Sequence, residues 1–344
     1  MKKILFVGGG TGGHILPLLN LIEKCIEKKT KVSFILADQD LDREIVEKNF
    51  KNIDIKPIFL KTGKIRRYFS WKNFKDFFRI FGAIFQARKI LKTEEPDVIF
   101  FKGGFVCFPV IIASKFLFSG FKGKIYLHES DSTTSNLAKF IGKFSNQTFS
   151  NFGETPLRLF YSIKKEKTIN ISPPVGQGEL EGTSLFIFGG SQGAAFINQI
   201  IKQNAQKLCE KYQVTLISGP NKTIDFTHKN FQQHELLPAE KFAQKLSQAD
   251  LVISRGSASI FQILELKKPS IISPLPSSAR NHQYLNTKYF EEQNLVKVLE
   301  QNEKSSEKLL NLIKETLNDE VLQNNLNQTD IKNNANKIAD IILM

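Results

Sequence analysis

The sequence predicts an α/β protein of two doubly wound domains, each built on a parallel sheet, and three observations carry that prediction. Short apolar runs alternate with longer amphipathic segments along the chain, the pattern of strands and helices in sheets covered on both faces. Each half contains an apolar run that ends in a glycine turn and opens into a helix: Ile4-Leu5-Phe6-Val7 before Gly8-Gly9-Gly10-Thr11-Gly12-Gly13, and Leu185-Phe186-Ile187-Phe188 before Gly189-Gly190-Ser191-Gln192-Gly193. At 344 residues the chain is also longer than a single core of this class requires.

Taken in order, the first half predicts strands at 3–7, 31–36, 55–60, 97–101, 124–128 and 147–150, with helices at 15–28, 40–49, 71–92, 108–118 and 133–144. Ile171-Ser172-Pro173-Pro174 is a breaker cluster, after which the pattern restarts. The second half predicts strands at 184–188, 214–218, 234–236, 251–254, 270–273 and 295–298, followed by a helical, polar tail over 303–344. The expected domains are 1–165 and 166–325, with 326–344 a terminal helix returning toward the first.

Composition narrows the function. The net charge of +14 favours anionic partners, a nucleotide or a phospholipid surface. The 3 cysteines have no metal-ligand spacing and fit a reducing compartment. No run of about 18 apolar residues is present to cross a bilayer, and no nucleic-acid recognition module is recognisable.

A glycine loop at a helix start aims backbone N–H groups and the positive end of the helix dipole at one point, which suits phosphate. Gly8-x-Gly10-x-x-Gly13 also satisfies the dinucleotide fingerprint, with Asp38 at the end of the next strand as its ribose ligand. His14 argues against that reading, because it puts an imidazole where a pyrophosphate cradle is smooth. An imidazole at that place is instead a candidate proton acceptor. Asp38-Gln39-Asp40 has the look of a metal pair but no third ligand, and no metal is expected. Arg255 is either paired across the core or a ligand group, and His128-Glu129 is either a satisfied strand end or part of a site.

Residues 61–79 hold Lys61, Lys64, Arg66, Arg67, Lys72, Lys75 and Arg79 against Asp76 alone. Phe74, Phe77, Phe78 and Phe81 follow helical spacing, which suits a core stripe. Phe69 and Trp71 beside Arg66 and Arg67 instead fit an interfacial anchor, and contact with an anionic membrane through Arg66, Arg67, Phe69, Trp71 and Phe74 is the expected use.

Six ordered segments resemble the MurG family: Gly8–Pro17, Lys102-Gly103-Gly104 through Pro109, His128-Glu129-Ser130-Asp131-Ser132, Phe188–Ala194 with Asn198, Ala249–Arg255, and Asn281-His282-Gln283-Tyr284-Leu285-Asn286. The resemblance spans residues 8–286. It implies the GT-B fold, two Rossmann-like domains facing a cleft, and inverting, metal-independent transfer of N-acetylglucosamine from UDP-GlcNAc to undecaprenyl-linked muramoyl-pentapeptide at the cytoplasmic face of the membrane, with no cofactor. His14 is then the first candidate to deprotonate the acceptor hydroxyl, and Glu129 the second. The resemblance places Thr11, Gly12, Gly13, Asp131, Ser191, Gln192, Gly193, Ala239, Ser257, Ala258, Ser259, Gln262, His282 and Gln283 at the donor, and Gly10, Gly103, Gly104 and His128 at the acceptor. Three positions depart from the family: Gln262 stands for a ribose-binding Glu, with Glu265 one turn on as its rival; Gly176 stands for an Arg; and Thr134-Ser135 stands for a Pro-Gly pair.

Overall fold

The computed structural model describes residues 1–344 except 52, 54, 56, 64–70, 118–120 and 163–181, and only the backbone of 71–73 and 75. The chain forms two compact units.

The first unit comprises Met1–Ser130, Thr134–Tyr161 and Asn333–Met344. Its elements alternate: β1 (Lys3–Gly8), α1 (Gly12–Glu27), β2 (Lys31–Ala37), α2 (Asp40–Asn49), β3 (Pro57–Leu60), α3 (Trp71–Glu94), β4 (Val98–Gly103), α4 (Cys107–Lys115), β5 (Lys124–Glu129), α5 (Asn136–Gly142) and β6 (Gln147–Ser150). The sheet is parallel, ordered β3-β2-β1-β4-β5-β6. Strand order reverses between β1 and β4, so the loops after those two strands meet at the topological switch point, where open α/β sheets bind ligands.

The second unit comprises Asp131–Thr133 and Ser162–Lys332. It holds β7 (Ser184–Phe188), α6 (Ala195–Cys209), β8 (Gln213–Ile217), β9 (Phe231–His234), α7 (Ala239–Gln248), β10 (Leu251–Ser254), α8 (Ser259–Glu265), β11 (Ser270–Ile272), a 3-10 turn at Ala279–Asn281, α9 (His282–Glu291), β12 (Lys297–Val298), α10 (Ser305–Leu317) and α11 (Glu320–Gln328). This sheet is also parallel and runs β12-β11-β10-β7-β8-β9, with its switch point between β7 and β10.

Three expectations change. The strand expected at 234–236 lies at Phe231–His234. It is an edge strand whose Gln232 and Gln233 break the apolar signal, while Phe231 registers with Val214. The tail is not uniformly polar: α12 (Ala335–Leu343) buries Ile338, Ala339 and Ile342 in the core of the first unit and packs on α1. Burying the two isoleucines contributes about 3–6 kcal/mol as an upper estimate. On α3 the phenylalanine stripe is not core. Ile80, Ala83, Ile84, Ala87 and Leu91 form the buried stripe, and Phe74, Phe77, Phe78, Phe81 and Phe85 face outward at 48–64% exposure.

Candidate active site

At the first switch point two glycine loops are packed backbone against backbone. Gly10, Gly103 and Gly104 have φ of +91°, +116° and +90°, a region that side chains disfavour. A Cβ on Gly104 would stand 2.0 Å from the Gly9 carbonyl oxygen, and one on Gly103 would stand 3.0 Å from the His14 ring. The second glycine turn therefore makes room for the first loop and its imidazole. His14 lies in the first turn of α1, preceded by the N-cap residue Thr11. Its Nδ1 is 3.1 Å from the Gly9 carbonyl oxygen and 3.2 Å from the Thr11 hydroxyl.

The residue that organises this loop is Asp42, which the sequence reading passed over. It is fully buried. Its carboxylate accepts from the Gly10 N–H at 2.9 and 3.1 Å, from the Ala37 N–H at 3.1 Å and from Gln39 Nε2 at 2.5 Å. Asp42 occupies the third position of α2, where an acidic residue ordinarily reads as a helix-dipole or capping group, so nothing in the sequence ties it to a loop 32 residues away. The Gly10 N–H is thus committed to a carboxylate. Asp38, the ribose ligand of the dinucleotide reading, pairs with Arg43 at 2.6 Å. That pairing removes support for the dinucleotide reading.

At the end of β5, His128 is 1% exposed with Nε2 3.1 Å from the Leu157 carbonyl oxygen. Burial, followed by the nearby Lys102 cation, holds its imidazole well below the ordinary value. It is a buried imidazole held in its neutral form. The Lys102 ammonium, itself buried, donates to the Ser130 hydroxyl. Glu129 accepts from the Ser130 N–H at 3.1 Å and the Ser135 N–H at 3.4 Å, so its carboxylate ties down the 130–135 loop. Ser135, where the family has Pro-Gly, caps α5 by accepting from the Ala138 N–H at 3.0 Å. Asp131 Oδ1 accepts from Asn286 Nδ2 at 3.0 Å within the second unit.

The second unit repeats the close-packed turn. Gly190 and Gly193 have φ of +78° and +66°. A Cβ on Gly193 would lie 2.0 Å from the Ser218 carbonyl oxygen. The Asn198 side chain donates to that same oxygen at 2.9 Å, and Lys222 Nζ donates to the Gln192 carbonyl at 2.6 Å, which fixes the turn holding Ser191 and Gln192. Beside it lies Arg255, one of whose terminal nitrogens is 3.2 Å from where a Gly190 Cβ would be. Its buried Nε has no partner and burial lowers its pKa, while no carboxylate among the described residues pairs with it. Of the two readings left open for Arg255, the paired core residue loses its support. Ser257 and Ser259 share a 2.8 Å hydrogen bond around Ala258 at the start of α8. Further along that helix Glu265 accepts from the Ser162 hydroxyl at 2.9 Å.

Left-handed Arg280 and Asn281 turn the chain into α9. His282 is half-buried, with Nδ1 2.7 Å from the Ala279 carbonyl oxygen. Gln283 is 6% exposed and its Oε1 accepts from the Leu275 N–H at 3.1 Å, which ties it to the loop before the 3-10 turn. Ala239, the first residue of α7, is buried and offers only backbone. Arg66, Arg67, Phe69, the side chain of Trp71, and Gly176 lie outside the described residues.

The match to the glycosyltransferase family 28 N-terminal domain covers residues 4–150, and that to the family 28 C-terminal domain covers residues 184–342. The UDP-N-acetylglucosamine--N-acetylmuramyl-(pentapeptide) pyrophosphoryl-undecaprenol N-acetylglucosamine transferase of Shouchella clausii is 35% identical over 93% of this chain and 90% of its own length. The protein of the same name from Clostridium botulinum is 33% identical over 99% of both. Among solved structures, Acinetobacter baumannii MurG superposes with a TM-score of 0.70 at 20% identity over all of this chain and 99% of its own, and a Staphylococcus aureus MnaA–UDP structure with 0.68 at 14% over 98% and 94%. With both domain models matched in order and near-full-length identity to the named transferases, the chain belongs to the MurG family of glycosyltransferase family 28.

Proposed function

We propose that this chain transfers N-acetylglucosamine from UDP-GlcNAc to a hydroxyl of undecaprenyl-pyrophosphoryl muramoyl-pentapeptide, with inversion at the anomeric carbon, as a step of peptidoglycan synthesis. The observation that carries the reading is the 35% identity, over 93% of the chain, to a transferase named for that reaction. The chemistry of the residues agrees. The acceptor hydroxyl loses its proton to His14 as its oxygen attacks the anomeric carbon, and the bond to the diphosphate breaks with its electron pair leaving on UDP. Charge developing on that diphosphate is met by backbone N–H groups of the Ser191-Gln192-Gly193 turn and by Arg255, a preorganised arrangement of the kind that stabilises a leaving anion. Thr11, Gly12, Gly13, Ser257 to Ser259, Gln262 and His282 complete the donor contacts, and Gly103 and Gly104 border the acceptor. Glu129 serves the loop rather than the proton. The reaction calls for no cofactor beyond its sugar-nucleotide donor.

The acceptor is lipid-linked, so the enzyme works at a membrane surface, peripherally and on the cytoplasmic side. No described helix is long and apolar enough to cross a bilayer. The outward phenylalanines of α3, preceded in sequence by Lys64, Arg66 and Arg67, supply the apolar and electrostatic attraction that interfacial binding combines.

The test is incubation of purified protein with UDP-GlcNAc and a lipid-linked muramoyl-pentapeptide. The expected result is release of UDP together with one added N-acetylhexosamine on the lipid product by mass spectrometry. Binding of NAD with none of UDP would overturn the reading.

A further inference from the structure

We infer that Asp42 is a positioning residue that acts on His14 through a single peptide group. The Gly10 N–H and the Gly9 carbonyl belong to the same planar peptide unit. Its N–H end donates to Asp42, at 2.9 Å to Oδ2. Its carbonyl end faces His14 Nδ1 at 3.1 Å. A carbonyl oxygen only accepts, so the hydrogen in that contact sits on Nδ1. The neutral ring then carries its lone pair on Nε2. This is the arrangement by which a histidine's second nitrogen sets the tautomer of the first, with a peptide inserted between carboxylate and imidazole.

The geometry gives the carboxylate two effects. Accepting at the N–H end polarises the peptide and strengthens the carbonyl as an acceptor, since hydrogen bonds in a chain reinforce one another. It also fixes the orientation of the peptide plane, which glycine at positions 9 and 10 does not fix unaided. Asp42 is itself immobilised by Ala37 and Gln39 at the end of β2 and the start of α2. A Cβ at Gly9 would stand 2.5 Å from Asp42 Oδ2, so the close approach of carboxylate to peptide needs a glycine there. When the acceptor hydroxyl reacts, its proton passes to Nε2 and the Nδ1–H stays on the Gly9 carbonyl. The resulting imidazolium faces a peptide whose other end rests on a negative charge.

The inference rests on His14 being the proton acceptor, and the experiment separates the two. In the full-length protein labelled with 15N-histidine, the His14 ring, assigned by its loss in His14→Gln, should show the pattern of an Nδ1–H tautomer at a pH where the ring is neutral. An Nε2–H tautomer would mean that the Thr11 hydroxyl donates to Nδ1, and the relay is overturned without recourse to any variant. Asp42→Asn should lower kcat about 10- to 100-fold, the usual cost of losing a group that orients a functional histidine. The KM for UDP-GlcNAc should stay within about twofold of wild type, and the ring spectrum should move to a mixed tautomer. A variant that folds, keeps its kcat and keeps the wild-type ring spectrum sinks the relay. His14→Ala is assayed alongside: full activity there refutes the base assignment itself, whereas an inactive His14→Ala beside a fully active Asp42→Asn refutes only the relay.

Discussion

His14 faces the Gly103 turn with its ring held from behind by the Gly9 carbonyl, so replacing it should affect chemistry more than folding. His14→Ala is expected to keep the melting temperature and the UDP affinity while turnover falls by about 10²-fold or more, the reach of a positioned base; near-normal turnover would remove it from the mechanism. In the donor contacts proposed above, Gln262 meets a diol without charge assistance. Gln262→Glu should tighten UDP binding in titration calorimetry by up to about 1–2 kcal/mol, and weaker binding would move the ribose contact elsewhere. His128 has a different signature. Its native imidazole stays neutral while the unfolded one takes a proton near the ordinary value of 6.5. The unfolded state then binds more protons, and stability declines as pH falls below that value. Denaturant titrations at pH 7.5 and 5.5 should show this loss in wild type and less of it in His128→Gln. The imidazole of His14 was legible in the sequence because it follows a glycine run directly. Asp42 was not, because its partner is a backbone N–H distant along the chain, and side-chain-to-backbone contacts of that range leave no pattern of residue types.

Among the elements, α3 shows how two stripes compete for one reading. The phenylalanines at 74, 77, 78 and 81 and the aliphatics at 80, 83, 84, 87 and 91 each follow helical spacing, and periodicity does not say which one meets the sheet. The smaller side chains won: Ala83 and Ala87 are fully buried, and small residues permit the close approach of α3 to α4 and to β3. The larger rings were left outside, where they contact one another edge to face. Such an exposed apolar row marks an interaction surface. Changing Phe77 and Phe81 to Ser should cut cosedimentation with anionic vesicles at least tenfold, since each ring buries about 1.5–3 kcal/mol of apolar surface. Melting temperature and UDP affinity should stay level, and undiminished sedimentation would place the membrane contact elsewhere. Strands were the most legible elements, because a parallel strand covered on both faces is apolar throughout. The edge strand β9, with glutamines in half of its positions, offered only its flanking turns.

On the scale of the whole chain, α12 makes the first unit discontinuous: residues 333–344 complete a core begun at residue 1. Asn334 accepts from the Arg158 N–H at 2.8 Å and donates its own N–H to the Arg158 carbonyl at 2.8 Å, while Asp340 pairs with Lys28 at 2.7 Å. Ending the chain after Lys332 should therefore lower the stability of the first unit by roughly 3–6 kcal/mol, the burial lost with Ile338 and Ile342, while the second unit still binds UDP in calorimetry. Loss of UDP binding in that truncation would show that the terminal helix supports more than the unit it joins. The same discontinuity sets a timetable on the ribosome. Domains ordinarily complete in the order in which they are translated. Here the sheet of the first unit precedes the second unit in sequence, yet α12, the helix that packs on α1, is translated only after the whole of the second unit. The α1 residues that share a core with Ile338, Ala339 and Ile342 wait for those partners through the synthesis of residues 162–332, so the unit begun first is completed after the unit begun second.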